Sequence, residues 1–385
     1  MNQKLHIFLN KLILGLPTVD GRLVFMHSKD DNEFWSALLE KAYAKLFHSF
    51  EALKGGTTNE ALEDFTGGLT EMFKVKEAPK NLFHILKKGF ERKSMMGCSI
   101  EADQSVTEAK TPQGLIRGHA YSITKTSMVD KVMSGKTDEV PLLRLRNPWG
   151  NAAEWNGPWS DDSPEWKLIP EDSKKKIGLT FDDDGEFWMS FADFRKNYDT
   201  IEICNLGPEP LSTKLQKGEK KDWYVDMFEG QWTKGITAGG CRNNIESFYR
   251  NPQYLITLKD PDEEEGMCTA VIALMQKNRR SKHVNLLSIG FGIYHLTEED
   301  LAKKPLPVEY FKQNLPVAKS ASFVNSREVS CRFSLPPGSY LIVPSTFKAD
   351  EEGEFLIRVY CESKYTLEEN DETIGIDEDI SKVSF

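Results

Sequence analysis

The second half of the sequence consists of short apolar runs separated by turn-forming residues, and this pattern restricts it to an all-β architecture. Gly, Pro and Asp recur between the runs, so each run can fold back on its neighbour. Seven runs have the length and composition of single strands: Trp223–Phe228, Gln253–Leu258, Thr269–Gln276, Leu286–Tyr294, Glu328–Leu335, Ser339–Pro344 and Glu354–Cys361. Strands at this spacing predict an antiparallel sandwich.

The first part of the chain has a helical period instead. Apolar side chains recur at spacings of three and four over Asn32–Phe50, and Asn32 or Asp31 can cap that helix. Two shorter helices are predicted over Asn59–Phe65 and Lys80–Lys93. Strand-like runs then follow at His119–Thr124, Pro141–Arg146, Glu186–Met189 and Thr200–Cys204. This order predicts a region of mixed helices and strands ahead of the sandwich.

The charge and the cysteines exclude several classes of protein. The 385 residues include 49 Lys plus Arg and 59 Asp plus Glu, a formal net charge of −10, which argues against a nucleic-acid binder. No apolar stretch reaches the roughly 18 residues of a transmembrane helix, so no transmembrane segment is expected. The six cysteines lie far apart and form no Cys-x-x-Cys pair, as expected for reduced thiols in a cytoplasmic protein.

A histidine and an asparagine stand at the ends of neighbouring predicted strands. His119 begins one apolar run, and Asn147 comes just after the next. An Asn side-chain carbonyl can accept the imidazole N–H and fix its tautomer, while the other ring nitrogen faces a nucleophile. With a cysteine, this pair forms the Cys-His-Asn set of papain-like proteases. A structural histidine and an asparagine in an Asn-Pro turn explain the same residues, so both interpretations stay open.

Cys98 is the one cysteine that precedes His119, and two observations favour a structural role for it. Its neighbours are apolar, and burial among them would raise the thiol pKa and oppose formation of the thiolate. It also lies only about 20 residues before His119, far less than the separation in papain-like enzymes. We therefore expect a buried structural thiol and not a nucleophile.

Two loops near Asn147 are crowded with acidic residues. Their carboxylates belong to Glu154, Asp161, Asp162, Glu165, Asp182, Asp183, Asp184 and Glu186. Carboxylate and carbonyl oxygens on flexible loops suit Ca²⁺, which accepts about six to eight oxygen ligands. A solvated acidic turn is the alternative. The same region carries Trp149, Trp155, Trp159 and Trp166, which either pack as a layer of loops or line a substrate cleft.

Two charged loops occur within the predicted sandwich. Residues 260–265 are mostly acidic, and residues 277–282 carry four Lys or Arg side chains. Those cations could attract anionic phospholipid, at about 1 kcal/mol each near a membrane surface. The acidic loop could bind Ca²⁺ or pair with a basic partner. Solvated hairpin tips are the alternative for both loops.

Several longer strings resemble the calpains closely. The matching segments are Glu33–Leu46, Glu63–Gly68, Gly118–Ser122, Leu145–Gly150, Gly185–Ser190, Ala273–Arg280 and Gly353–Val359. They stand in the family's order, from about Pro17 to about Cys361. The resemblance therefore covers nearly the whole chain.

The resemblance implies a Ca²⁺-dependent papain-like cysteine endopeptidase that carries out limited proteolysis of intracellular proteins. The implied fold is an α+β papain-like protease lobe followed by an all-β, C2-like antiparallel sandwich. His119 matches the family's catalytic histidine and Asn147 its catalytic asparagine, while Trp149 matches a tryptophan that gates the cleft. The implied Ca²⁺ ligands are Glu154, Asp161, Asp184 and Glu186, with a carbonyl from Asp182.

The resemblance also implies how the chain is divided. Residues 1–68 match a remnant of the first, helical protease lobe, and residues 69–206 match the second lobe with the His/Asn pair and the Ca²⁺ site. Residues 207–366 match the C2-like domain, and the acidic residues 367–385 are predicted to be a tail or linker.

One part of the family pattern is missing from the 385 residues. Calpains carry the nucleophile in a Gln-Gly-x-x-Gly-Asp-Cys-Trp segment ahead of the Glu33–Leu46 match, and neither that segment nor a penta-EF-hand domain occurs here. We therefore expect this chain alone to be inactive. The alternative function is a non-catalytic regulator or decoy that binds Ca²⁺ and phospholipid. Expected partners are protein substrates or calpain partners, in the cytoplasm or at a membrane in a Ca²⁺-dependent way.

Overall fold

The computed structural model of the chain describes residues 15–370, apart from 29, 31, 103–105, 107, 134–135, 151–153, 162, 183, 208–221, 263–265, 281 and 283. The chain forms two compact units. The first ends at Leu206, and the second begins at Gly207 and also includes the short segment Glu91–Lys93. No described helix has both the length and the apolar composition that crossing a bilayer requires.

The first unit combines short helices with an antiparallel sheet. Its described helices and strands are, in chain order, β1 (Thr18–Val19), β2 (Arg22–Leu23), α1 (Trp35–Leu46), α2 (Thr58–Thr66), β3 (Leu69–Lys74), α3 (Leu82–Glu91), β4 (Met95–Ser99), β5 (Ala120–Met133), β6 (Lys136–Arg146), α4 (Glu171–Ile177), β7 (Glu186–Ser190), α5 (Phe191–Asn197) and β8 (Thr200–Asn205). Six strands form one sheet in the order β3-β8-β4-β5-β6-β7, and β1 pairs with β2. The predicted helices and strands of this region are confirmed.

The predicted cap of the first long helix is wrong. Helix α1 begins after Phe34, which provides no side-chain cap. Asn32 lies in a separate turn, where its backbone N–H binds the Asp30 carboxylate at 2.9 Å. This local hydrogen bond holds Asn32 in the turn, so Asn32 does not cap the helix. Asp31, the other candidate, lies outside the described residues.

The two faces of the six-stranded sheet pack against different apolar clusters. Because side chains alternate along a strand, Leu142 and Leu143 of β6 belong to opposite clusters. The larger cluster includes Leu86 of α3 and Phe194 of α5. The smaller cluster contains Trp159, Trp166 and Trp188. Among the four tryptophans of the acidic loops, Trp155, Trp159 and Trp166 are buried, whereas Trp149 is 42% exposed. The interpretation as a packed loop layer therefore holds for the first three.

The second unit is an all-β sandwich with a few helical turns. Its elements are β9 (Tyr224–Trp232), α6 (Ile245–Phe248), β10 (Tyr254–Leu258), β11 (Cys268–Gln276), β12 (Ile289–Leu296), α7 (Glu298–Leu301), α8 (Val308–Gln313), β13 (Ala318–Lys319), β14 (Glu328–Leu335), β15 (Gly338–Thr346), β16 (Gly353–Cys361) and β17 (Tyr365–Glu369). They form antiparallel sheets in the orders β13-β12-β15-β10-β17 and β14-β11-β16-β9. Ile256 and Ile293 of the first sheet share a core with Ile272 and Ile357 of the second.

All seven strands that the sequence predicts in this unit are confirmed, and the described residues form two further strands, β13 and β17. Strand β17 corrects the predicted start of the acidic tail, because Tyr365–Glu369 pairs with β10 in an antiparallel register. Tyr365 and Leu367 of β17 pack against the core. Two inward side chains are enough for an edge strand, although the surrounding acidic residues hide them in the sequence. The C2-like topology stays a prediction.

Candidate active site

A tight hairpin over residues 108–118 leads directly to His119. Lys110 and Ile116 form a β-bridge, and the Arg117 N–H donates to the Ala109 carbonyl at 2.9 Å. Gly114 makes the turn with φ of +91°, which favours glycine. The hairpin brings its first residue, Glu108, opposite the chain segment that enters β5. His119 therefore enters the sheet with a fixed backbone and with a carboxylate beside it.

Asn147 follows β6 at the same end of the sheet as His119. Strands β5 and β6 are neighbours, with Ser122 opposite Arg146. Asn147 is fully buried, and its N–H donates to the Gly185 carbonyl at 2.8 Å. His119 Nε2 lies 2.9 Å from Asn147 Oδ1. The structure thus brings together the two residues that the sequence singles out for general acid–base chemistry.

The orientation of the Asn147 side-chain amide determines which nitrogen of the His119 ring carries a proton. Its Oδ1 also accepts the Trp149 backbone N–H at 3.1 Å, and a backbone N–H can only donate. The atom facing His119 is therefore the oxygen, and Nε2 must carry a proton. Nδ1 remains as the ring atom available for exchange with a nucleophile.

Aromatic side chains surround the rest of the ring. The Trp149 ring lies 4.6 Å from the His119 ring between centroids, and the Tyr121 ring lies 5.2 Å away in an edge arrangement. Burial raises the pKa of Tyr121 to about 12, although its oxygen accepts the Ile116 N–H at 2.8 Å. Tyr121 is therefore neutral near physiological pH, and Trp149 is the exposed wall of the site.

Cys98 is not placed to act as a nucleophile. It lies on β4, opposite Tyr121 of β5, and its side chain is completely buried. Burial, and to a lesser extent the nearby Glu202 carboxylate, raises the pKa of the Cys98 thiol well above its usual range. A buried thiol with a raised pKa forms little thiolate, so the structural interpretation of Cys98 is supported.

We expect alkylation of the folded chain to modify Cys331 at least about tenfold faster than Cys98. Cys331 is partly exposed, whereas Cys98 is buried. Peptide mass spectrometry after a brief exposure to an alkylating reagent measures the two extents of labelling. Unfolding the chain in denaturant is the control and should make the two rates similar. Equal labelling in the folded chain would contradict the buried position of Cys98.

Comparison with known proteins identifies the family. Residues 13–205 match the family described as calpain family cysteine protease. The chain belongs to the calpain family. Residues 228–360 match calpain large subunit, domain III. The mixed α/β unit with His119 and Asn147 is thus the calpain-type protease region, and the all-β unit follows it.

Three curated relatives show how much of a calpain this chain represents. Calpain-B of Drosophila melanogaster is 59% identical over 374 residues, which cover 96% of this chain and 40% of the relative. Calpain-A of the same organism is 60% identical over 365 residues, 94% of this chain and 44% of the relative. Calpain-9 of Rattus norvegicus is 48% identical over 367 residues, 94% of this chain and 51% of the relative. The chain spans about half the length of the curated relatives it matches, or somewhat less.

Three predicted Ca²⁺ ligands of this calpain-family chain each contact a protein donor at or beside Gly185: Glu154, Asp184 and Glu186. Glu154 Oε1 accepts the Gly185 N–H at 2.8 Å, and Asp184 Oδ1 accepts the Glu186 N–H at 2.8 Å. Glu186 Oε2 lies 3.3 Å from a guanidinium nitrogen of Arg144. The carboxylates are thus already committed to protein donors.

The remaining predicted ligands lie on the same two loops. The Asp182 carbonyl accepts the Asp184 N–H at 2.8 Å, and Asp161 is partly exposed on the first loop. In the part of the chain that the structure describes, no three acidic, His or Cys side chains converge as a metal-binding group. The donor types fit Ca²⁺, but the arrangement requires the carboxylates to turn away from their present partners. The Ca²⁺ site therefore stays a prediction.

The charged loops of the sandwich are also engaged within their own unit. Lys277 pairs with Glu229 at 2.6 Å, and Lys282 pairs with Glu354 at 2.9 Å. In the acidic loop, Asp262 accepts the N–H of Thr269, and residues 263–265 lie outside the described residues. The contact of residues 277–282 and 260–265 with anionic phospholipid stays a prediction.

Sequence reasoning missed Glu108 as a neighbour of His119. Its Oε1 lies 3.6 Å from His119 Nδ1. The available signal is the Thr111–Gly114 string, whose Pro and Gly predict a turn. A hairpin around that turn brings residues near 108 back to residues near 118.

Proposed function

We propose that this chain supplies the histidine and asparagine of a calcium-dependent cysteine endopeptidase of the calpain type, with a papain-like site that carries out limited proteolysis. The observation that carries the proposal is the 2.9 Å contact between His119 Nε2 and the buried Asn147 Oδ1. It leaves Nδ1 as the proton-transfer atom, as a Cys-His-Asn mechanism requires. The 59–60% identity to two calpains adds independent support.

The proposed reaction passes through a covalent acyl-enzyme. A cysteine from another segment of the whole protein loses its proton to His119 Nδ1, and the thiolate attacks the scissile carbonyl carbon. The tetrahedral intermediate then expels the amine, which takes the proton back from His119. Water, deprotonated by the same nitrogen, hydrolyses the thioester. Asn147 keeps the ring oriented throughout, because it holds Nε2–H in both halves of the reaction.

The 385 residues on their own are not expected to cleave peptides by this route. The mechanism needs a cysteine at Nδ1, and Cys98 is buried on β4 with a raised pKa. The second candidate function is a non-catalytic regulator that binds calpain partners. The features that would support its lipid contact are Lys282, which is exposed, and Lys277, which is half-buried, although both now pair with carboxylates of the same unit.

The mass and activity of the endogenous protein test the two functions. An antibody against the sandwich isolates the protein, intact-mass spectrometry gives its size, and hydrolysis of a casein substrate with and without Ca²⁺ gives its activity. A species heavier than 43.8 kDa that cleaves casein when Ca²⁺ is added supports the endopeptidase. A species of 43.8 kDa without activity supports the regulator. A heavier species that cleaves nothing contradicts the endopeptidase.

We also propose that Ca²⁺ binds the loops beside Asn147. Glu154, Asp161, Asp184 and Glu186 would hold the ion, with a carbonyl oxygen from Asp182. Bound there, Ca²⁺ supplies a compact positive charge for hard oxygen donors. The chain's own response would be release of the Gly185 and Glu186 N–H groups by Glu154 and Asp184, which now accept them.

Changing Asp184 to Asn and Glu186 to Gln together is expected to abolish calorimetrically detectable Ca²⁺ binding to residues 119–190. The double change removes two negative charges from neighbouring positions without altering side-chain size. A matched control changes Glu171 to Gln and Asp172 to Asn on α4, where both lie in the first helical turn. The control should bind Ca²⁺ as the unaltered chain does. Unchanged binding in the Asp184/Glu186 variant would contradict the site.

A further inference from the structure

Arg144 places a positive charge at one of the predicted Ca²⁺ ligands. A guanidinium nitrogen of Arg144 lies 3.3 Å from Glu186 Oε2. We propose that Arg144 is a built-in competitor for Ca²⁺, which holds the Glu186 carboxylate in the free chain and so lowers the affinity of the acidic loops for the ion. This inference rests on the proposed Ca²⁺ site and concerns what regulates it.

The strand pairing places two arginines on the same face of the sheet as Glu186. Arg146 of β6 lies directly opposite Glu186 of β7, and Arg144 lies opposite Trp188. Because side chains alternate along a strand, all four project from one face. The ion pair nevertheless forms with Arg144, the diagonal neighbour, whereas Arg146 is exposed. A second contact of the Arg144 side chain accounts for this choice.

The second contact comes from Thr124, which lies in a β-bulge of β5. The pairing of β5 with β6 shifts between Ile123 and Lys125, so Thr124 is the additional residue. Arg144 Nε donates to Thr124 Oγ1 at 3.0 Å, and this hydroxyl donates to the Arg144 carbonyl at 3.3 Å. One side of the guanidinium is thus fixed in the sheet. Its other side loses little further freedom when it pairs with Glu186.

The burial of this ion pair strengthens the competition with Ca²⁺. The Arg144 side chain is 25% exposed and the Glu186 side chain 19% exposed. Water therefore screens the pair less than it screens a fully exposed one. A second cation lies close to Arg144, because Lys125 donates to the Ile177 carbonyl at 2.8 Å, and burial together with the Arg144 charge lowers the pKa of Lys125. Positive charge is thus concentrated beside the ion pair.

Arg144 can release Glu186 without leaving its place in the sheet. The hydrogen bond to Thr124 and the pairing with β7 do not involve the Glu186 carboxylate. The guanidinium keeps its charge throughout the physiological pH range, because arginine does not lose its proton there. The concentration of Ca²⁺, and not pH, would therefore displace Arg144 from Glu186.

Titration calorimetry of the full chain with Ca²⁺ tests this inference. We expect Arg144→Gln to lower the Kd for Ca²⁺ about three- to thirtyfold, because Glu186 loses its competing cation. Arg144→Lys keeps the charge but lacks the Nε donor for Thr124, and it should lower the Kd less. Thr124→Val keeps Arg144 and removes only the hydroxyl that fixes it. It should lower the Kd in the same direction and provides a second test if Arg144→Gln does not fold.

Two other arginines of the same unit are the controls. Arg195→Gln removes an exposed charge from α5 and should leave the Kd unchanged. Arg146→Gln removes the exposed cation opposite Glu186 and should lower the Kd less than Arg144→Gln does, because water screens that charge. An equal Kd in Arg144→Gln and the unaltered chain, or an equal fall in Arg146→Gln, would overturn the inference. So would the absence of measurable Ca²⁺ binding to Arg144→Gln.

Nitrogen NMR of the ¹⁵N-arginine-labelled chain observes the displacement directly. Arg144→Gln identifies the Arg144 signals, and saturating Ca²⁺ should shift them as the guanidinium leaves Glu186, with the Arg195 signals unchanged. Arg144 signals that do not respond to saturating Ca²⁺ would contradict the competition. Failure of the Ca²⁺ site gives a different result, because Ca²⁺ binding would then survive the double change of Asp184 to Asn and Glu186 to Gln.

Discussion

The His119→Ala variant of a nucleophile-bearing form of this protein is expected to lose at least about a thousandfold in kcat/KM for peptide hydrolysis. His119 Nδ1 would accept the thiol proton and return it to the leaving amine, so both chemical steps lose their proton carrier. The 2.9 Å contact with Asn147 fixes the orientation of the ring, as the proposed role requires. Initial rates on a fluorogenic peptide, at saturating and limiting concentrations, separate kcat from KM. We expect the loss in kcat, because the ring is needed for the chemical steps.

His84→Ala is the matched control for this experiment. His84 lies on α3 of the same unit and is exposed. Its removal should leave kcat/KM within about twofold of the unaltered protein, since surface changes of this kind have small effects. An intermediate loss is expected for Asn147→Ala, because the ring keeps its proton chemistry but loses its orientation. Hydrolysis that survives His119→Ala would come from another enzyme or another site, and it would refute the assignment.

The Arg358→Met variant is expected to destabilise the second unit by about 3–5 kcal/mol. Arg358 of β16 and Glu328 of β14 form an ion pair across β11, and each side chain is only 3% exposed. They lie opposite Ala273 and Met275 of that central strand. Removing the arginine leaves the Glu328 charge buried without its partner, which costs more than the pair itself contributes. Hydrogen exchange of β11 and β16 peptides in rising urea measures the free energy of unfolding of this unit.

Two further variants isolate the cause. Replacing both partners, with Glu328→Leu and Arg358→Met, should recover most of the loss because no charge is left buried alone. Lys312→Met breaks an exposed pair with Glu246, whose side chain is 75% exposed, and should change stability by less than about 1 kcal/mol. If Arg358→Met were as mild as Lys312→Met, the buried pair would have no special role in this sandwich.

Strands that alternate apolar and polar residues are predictable here because the pattern is local. The run Glu328–Leu335 is found with the same bounds in the structure. Strand β17 could not be predicted, because Tyr365 and Leu367 are its only core-facing side chains and acidic residues surround them. The sequence also predicts the wrong cap for α1, because local side-chain hydrogen bonds have more than one solution. A side chain three residues upstream of a helix can serve a turn equally well, and only the backbone geometry decides.

The residues of the candidate site also differ in whether the local sequence predicts them. His119 and Asn147 could be predicted because the first comes just before one recognisable strand and the second just after the next, and the pairing of β5 with β6 then brings them together. The position of Glu108 beside His119 could not be predicted, because it depends on the closure of a hairpin around Gly114. The ion pair between Glu328 and Arg358 was also missed. These residue types are usually exposed, and nothing in the local sequence shows that both side chains lie buried on the two strands that flank β11.

Gly185 joins the acidic loops to Asn147 through very little chain. Its carbonyl accepts the Asn147 N–H at 2.8 Å, and its N–H donates to Glu154 at 2.8 Å. Its φ is +89°, and a Cβ there would lie 2.6 Å from the Asn147 carbonyl oxygen, so the backbones touch with no side chain between them. Gly185 therefore links the Glu154 carboxylate to the Asn147 backbone through two hydrogen bonds of a single residue. A displacement of the Glu154 carboxylate would therefore reach the backbone of Asn147 through a single residue, so any ligand that moved this carboxylate would also shift the backbone of Asn147.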